Sequence, residues 1–250
     1  MAWVGDPIWL ADELRAWGLT VIEHDGWLDR GHGDFLDIRG VICHHTAGGG
    51  VNDWKIVQYG RSDLPGPLAQ IVLERDGTVR LIAVGVCWHA GRGSHPGWPT
   101  NDANWHTIGI EAVNSGTGSQ PWTPEQLDAY KRICAAILRK IGRTAKDCVA
   151  HREYSSEGKI DPWGIDMNSF RADVQRLIDE GPDELSEVSD IIKKELTYRF
   201  QSRVEGSNFR DTLVGYVLES DKKLYDLEQR VPRIEAKLDK ILEALEKRPE

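Results

Sequence analysis

Ile38-Arg-Gly-Val-Ile-Cys-His-His-Thr46, followed at once by Ala47-Gly-Gly-Gly50, is the stretch on which the reading of this chain turns. A short apolar run bounded by Gly reads as a buried strand entering a turn, and it is too short for a helix. Successive side chains on a strand point to opposite faces. His44 and His45 therefore cannot both serve one site.

Outward from this strand, the chain alternates short apolar runs with helical patterns. Pro7 to Gly18 reads as a short amphipathic helix stopped by Gly18. Ala69 to Gly85 reads as a hairpin turning at Asp76-Gly77. His106 to Val113 is a second buried strand ending on Glu111. Thr123 to Gly142 is the clearest helix, with Thr123 and Gln126 as a capping box, Pro124 at the first helical position and Gly142 past the end. Leu127, Cys134, Leu138 and Ile141 fall on one of its faces. Asp147 to Glu153 is a third apolar segment, and Asn168 to Glu180 closes the region as a helix. The alternation predicts an α/β domain with a central mixed β-sheet flanked by helices.

Composition sets the boundary of that domain. All ten Trp lie between Trp3 and Trp163. From Gly181-Pro182 onward Gly becomes scarce and mixed charge dense, which reads as helix. Residues 1–181 are expected to form one domain and 182–250 a helical C-terminal region. In the latter, Leu224, Leu227, Val231, Ile234, Leu238, Ile241 and Leu245 repeat at alternating spacings of three and four, the pattern of a coiled-coil seam. Pro232 should kink or restart that helix. The stripe either pairs between chains, giving a homo-oligomer, or folds back on helices around Leu196 and Leu213.

A net charge of -9 argues against nucleic acid as a partner. No apolar run is long enough for a membrane span. Cys43, Cys87, Cys134 and Cys148 form no CxxC pair and read as buried thiols, Cys43 and Cys87 within apolar strands. The first residues carry acids among apolar positions and lack a signal peptide's basic and hydrophobic regions, so synthesis in a bacterial cytoplasm is expected.

Three segments supply metal-type ligands: His44-His45, His151 and Asp161. Two imidazoles and a carboxylate form a catalytic zinc set with the fourth position open to water, although the same set can hold iron. Glu111, at the end of an apolar strand, is an isolated carboxylate of the kind whose pKa rises and which can shuttle a proton. Lys159 places a cation two residues before Asp161, where it could stabilise an oxyanion.

The strand Val41 to Gly48, the strand Thr107 to Val113 and the segment His151 to Pro162 together resemble the type-2 N-acetylmuramoyl-L-alanine amidases, a superfamily that includes peptidoglycan recognition proteins and many phage endolysins. The resemblance spans roughly residues 35–165. It implies a central mixed sheet with zinc in a groove on one face, held by His44, His151 and Asp161. It further implies Glu111 as the catalytic carboxylate and Lys159 as the catalytic lysine. Trp88 to Gly91 resembles a family motif that would put His89 near the groove, with Thr46 as a second substrate-binding residue. Trp163 stands where Gly is common in the family, and Arg152-Glu153 where Arg-Asp is commoner.

The expected function is hydrolysis, with Zn2+, of the amide between N-acetylmuramic acid and L-alanine in bacterial peptidoglycan. The Trp- and Gly-rich lead-in from His24 to Phe35 is similar to endolysins of actinobacterial phages. The expected setting is therefore host lysis, with access to the wall after the membrane is breached. A cytosolic muropeptide-recycling amidase and a non-catalytic peptidoglycan-binding module are the alternatives.

Overall fold

The computed structural model describes residues 3–182, 199–201 and 210–246. The chain divides into two compact units, Met1–Ser186 and Glu187–Glu250. In the first, six strands form one sheet: β1 (Val21–Glu23), β2 (Gly40–His45), β3 (Ile71–Leu73), β4 (Val79–Leu81), β5 (Thr107–Ala112) and β6 (Cys148–Ala150). Their spatial order is β6-β2-β5-β3-β4-β1. Every neighbouring pair is parallel except β3 and β4, the hairpin turning through Asp76-Gly77. Gly77 sits at φ +85°, which a side chain would strain.

The period of two sorts the strand residues cleanly. Val41 and Cys43 of β2, Ile108, Ile110 and Ala112 of β5, and Cys148 and Ala150 of β6 all join the main core. That core lies against three helices: α1 (Leu10–Ala16), α3 (Pro124–Lys140) and α5 (Met167–Glu180). Burying each large aliphatic side chain there contributes roughly 1.5–3 kcal/mol. The alternate residues face the other way. Ile42 and Val149 pack with Ala90, Trp98, Ala103 and Tyr154. Val72 packs with Val57 of α2 (Asp53–Tyr59). Continuing the alternation past Ile42, Gly109 and Val149 puts His44, Glu111 and His151 on this second face, at the C-terminal ends of three adjacent parallel strands.

Several local readings change. The Thr123 hydroxyl accepts from the Gln126 N–H, but the reciprocal half of the capping box is not made. The Gln126 amide instead donates to the carbonyls of Leu73 and Val113, tying α3 to two strand ends. Cys87 lies in a loop rather than a strand, since the chain leaves the sheet after Leu81. All four cysteines are buried and free. Three of them converge: Cys43 Sγ lies 3.7 Å from both Cys134 Sγ and Cys148 Sγ.

In the second unit, Phe200–Gln201 pairs antiparallel with Arg210–Asp211, a short strand pair where the charge pattern had suggested helix. Helix α6 then runs over Leu213–Glu246 and carries Pro232 inside it. The helix expected directly after Pro182, and Leu196 with it, fall outside the described residues. No helix among the described residues is long and apolar enough to cross a membrane.

Candidate active site

The sheet register aligns the site. His44 of β2 stands opposite Glu111 of β5, and Cys43 opposite Ala150, the residue before His151. Helix α4 (His151–Tyr154), a single turn, begins where β6 stops and presents His151 beside His44. Asp161 arrives on the following loop, joined to Pro162 by a cis peptide. Donor atoms of His44, His151 and Asp161 all lie within 4.8 Å of one another, and all three residues are buried.

Hydrogen bonds decide which ring nitrogens carry hydrogen. His89 Nε2 lies 3.1 Å from the Thr107 carbonyl, which can only accept, so that nitrogen is the donor. Burial, with His44 beside it, pushes the His89 pKa down, so the ring is neutral and its Nδ1 is a bare acceptor. His44 Nε2, 3.1 Å from that Nδ1, must then donate. The hydrogen-free Nδ1 of His44 is left 3.0 Å from Asp161 Oδ2. Burial and the neighbouring His151 hold His44 down to about 4, so it too is neutral at pH 7. His151 repeats the pattern: Nε2 donates to the Ala90 carbonyl at 3.0 Å, and Nδ1 faces the same Asp161 Oδ2 at 2.9 Å.

The hydrogen-free Nδ1 of His44, the Nδ1 of His151 and a carboxylate oxygen of Asp161 thus converge within 4.8 Å. Such a cluster could hold a cation, and its two nitrogens and one oxygen suit zinc or another divalent transition metal.

Glu111 lies beside this centre. Its Oε2 is buried without a hydrogen-bond partner. Burial raises its pKa to about 8, with the charges of Asp161 and Asp53 adding to the effect. Lys159 is exposed, and with Trp88, His89, His151 and Glu157 it lines a cavity of about 460 Å³ over the site. Its charge acts on both His44 and Glu111.

The two residues expected to touch substrate both have hydrogen-bond partners within the fold. The Thr46 hydroxyl donates to Asp53, whose Oδ2 also accepts from the Gly49 N–H at 2.7 Å. It therefore shapes the loop after β2. His89 does line the cavity, yet both its ring nitrogens are committed, one to His44 and one to the Thr107 carbonyl. Its ring lies so close over β5 that a Cβ at Gly109 would sit 2.6 Å from its Cγ.

His45 takes the opposite face. Its Nδ1 accepts from the Trp163 N–H at 3.0 Å. Gly116, at φ +69°, packs so tightly on the ring that a Cβ would lie 2.2 Å from Nε2.

Three supports escaped the sequence reading. Arg152 binds the loop carrying Asp161, donating from its guanidinium to the carbonyls of Pro162 and Ile165 and from its N–H to that of Asp161. Trp122 Nε1 donates to the Trp163 carbonyl at 2.9 Å. Asn104 Oδ1 accepts from the N–H groups of His89 and Ala90, fixing the loop whose carbonyl orients His151. The sequence offers only a weak signal for these residues, because each acts through a backbone group far away in the chain.

An α/β sheet with a His-His-Asp cluster at its strand ends, beside a buried carboxylate, has the architecture of a metal-competent hydrolase. The chain belongs to the N-acetylmuramoyl-L-alanine amidase family, whose model matches residues 34–164. No curated protein sequence matches it. Among solved structures it is similar to a selenomethionine derivative of AmpD, with 20% identity over 62% of this chain and 93% of that one, at a TM-score of 0.46. It is similar to the endolysin amidase LysCS of Clostridium intestinale URNW at 18% identity, covering 61% and 93% of the two chains with a TM-score of 0.45. AMPDH3 from Pseudomonas aeruginosa, in complex with an anhydromuramic pentapeptide, matches at 20% identity over 54% of this chain and 59% of that one, with a TM-score of 0.46.

Proposed function

We propose that this protein is a zinc-dependent N-acetylmuramoyl-L-alanine amidase that acts as an endolysin. It would hydrolyse the amide joining the lactyl group of N-acetylmuramic acid to L-alanine in peptidoglycan. The observation that carries the reading is the convergence of the Nδ1 atoms of His44 and His151 on Asp161 Oδ2 beside Glu111, inside a chain of this family.

His44, His151 and Asp161 would hold the ion. Zinc supplies Lewis-acid polarisation of a carbonyl and lowers the pKa of water to about 7. Glu111 takes a proton from the attacking water on its carboxylate and delivers it to the amide nitrogen as the C–N bond breaks, giving a free carboxylic acid and a free amine. The hydrogen-bond vacancy at Oε2 leaves that oxygen available for the transfer. Lys159, at the cavity wall, offsets the negative charge developing on the carbonyl oxygen. His89, through His44, and the Ala90 carbonyl, through His151, keep both rings in the ligating tautomer.

What supports the endolysin role over a recycling amidase is the second unit, since a soluble muropeptide needs no appended helix. Chelation should abolish activity and added zinc restore it. Hydrolysis of insoluble walls should match or exceed that of soluble anhydromuropeptides. Activity indifferent to chelators would refute the metal assignment, and activity confined to the soluble substrate would favour the recycling role.

A further inference from the structure

Helix α6 leaves its apolar stripe open. Leu224, Leu227, Val231, Ile234 and Leu238 are between 45% and 61% exposed. Their spacing of three and four assigns them to the a and d positions of a heptad, with Leu224, Val231 and Leu238 at a, and Leu227 and Ile234 at d. Pro232 then falls at b, away from the seam.

The flanking charges are sorted with the same period. From Asp221 to Leu238 the e positions are Asp221, Glu228 and Glu235, all acidic, and the g positions are Lys223, Arg230 and Lys237, all basic; the pattern ends there, with Leu242 at e and Ala244 at g. This segregation distinguishes orientations. When two such helices lie parallel and in register, each g residue faces the e residue of the next heptad on its partner, so Arg230 meets Glu235 of the second copy. When they lie antiparallel, g faces g and e faces e, setting base against base and acid against acid. Charges across a seam contribute more to orientation and partner choice than to affinity, so the row pattern specifies geometry while the a and d side chains supply the burial.

We infer that α6 is a self-association surface whose occupant is the same helix of a second copy of this chain, parallel and in register. The inference stands apart from the amidase reading, because none of its residues belongs to the catalytic unit. A period of 3.5 also selects its partner, since only another helix with the same repeat keeps knobs in holes along the whole seam.

Sedimentation equilibrium of the full-length chain tests it. The expected mass is a whole multiple, two or more, of the 28.1 kDa chain. Glu228→Lys with Glu235→Lys makes both flanks basic and should return the chain to a monomer, with helicity retained by circular dichroism and amidase rate on a soluble substrate unchanged. Adding Lys223→Glu and Arg230→Glu, the residues that face positions 228 and 235, should restore the oligomer. A Leu224→Cys chain, oxidised, should cross-link to its own copy through Cys at that position, since parallel in-register helices bring the two together. A monomeric wild type overturns the inference. So does an oligomer indifferent to the charge reversal, or a Leu224→Cys chain that links only to an Ile241→Cys partner, the antiparallel outcome.

Discussion

The two units use the same aliphatic residues in opposite ways. In the first, β2 and β5 bury their isoleucines completely, and the two histidines that end β2 are buried with named partners. In the second, Leu224, Leu227, Ile234 and Leu238 of α6 are about half exposed and the charges lie in rows beside them. A buried polar cluster held by directed hydrogen bonds is what chemistry requires; an open stripe is what association requires. The difference teaches that the reaction should reside wholly in the first unit, and it can be broken by substitutions that move function across the boundary.

The largest effect is expected from His151→Ala, which removes a ligand and leaves Asp161 and His44 unable to hold the ion. Metal content and activity should both fall to background. His45→Ala, one residue from His44 but on the other face, should keep its metal, and metal loss in that variant would mean the faces are assigned the wrong way round. Next comes Glu111→Gln: zinc content should stay near that of wild type while turnover falls by roughly two to four orders of magnitude. Lys159→Ala should retain metal and lose roughly two to three orders, the usual worth of one charge-stabilising group. Loss of metal in both would make these residues structural.

A smaller effect separates Glu111 by pH. In the metal-free protein its pKa is about 8 against an ordinary value of 4.5. The folded state therefore keeps a proton that the unfolded chain loses between those values. Its contribution to stability is complete below pH 4.5 and is lost as pH rises through 8. Thermal unfolding of wild type and Glu111→Gln across this window should show the wild type losing stability relative to the variant as pH rises. Parallel curves would mean the carboxylate is solvated. The smallest effect belongs to truncation after Ser186. Turnover on a soluble muropeptide should not change, whereas activity on intact walls should fall as linked copies are lost.

Much of this was legible in the sequence because it depends on local pattern. The apolar run into His44-His45, the Asp-Gly hairpin and the Thr123-Pro124 helix start each have a short-range cause, and the fold follows from their alternation. The clustering of His44, His151 and Asp161 was also readable, since they sit at strand ends or just beyond them. What could not be read acts across distance. The Gln126 side chain looked like half of a capping box but bonds to strand ends at Leu73 and Val113. Arg152, Asn104 and Trp122 work through backbone groups that only the fold brings near. The family resemblance put Thr46 and His89 at the substrate, and both also have roles in holding the site together. Within the fold they hydrogen-bond to Asp53 and to His44, partners 7 and 45 residues away, which the sequence did not show. The strand pair at Phe200–Gln201 and Arg210–Asp211 is too short for any periodicity to show.

Mass analysis of the products from purified peptidoglycan tests the central claim most directly. The account predicts release of stem peptides with a new free amino terminus on L-alanine, leaving glycan strands whose muramic acid carries a free lactyl carboxylate. New reducing sugar ends, or peptides cut within the stem while still attached to muramic acid, would contradict it.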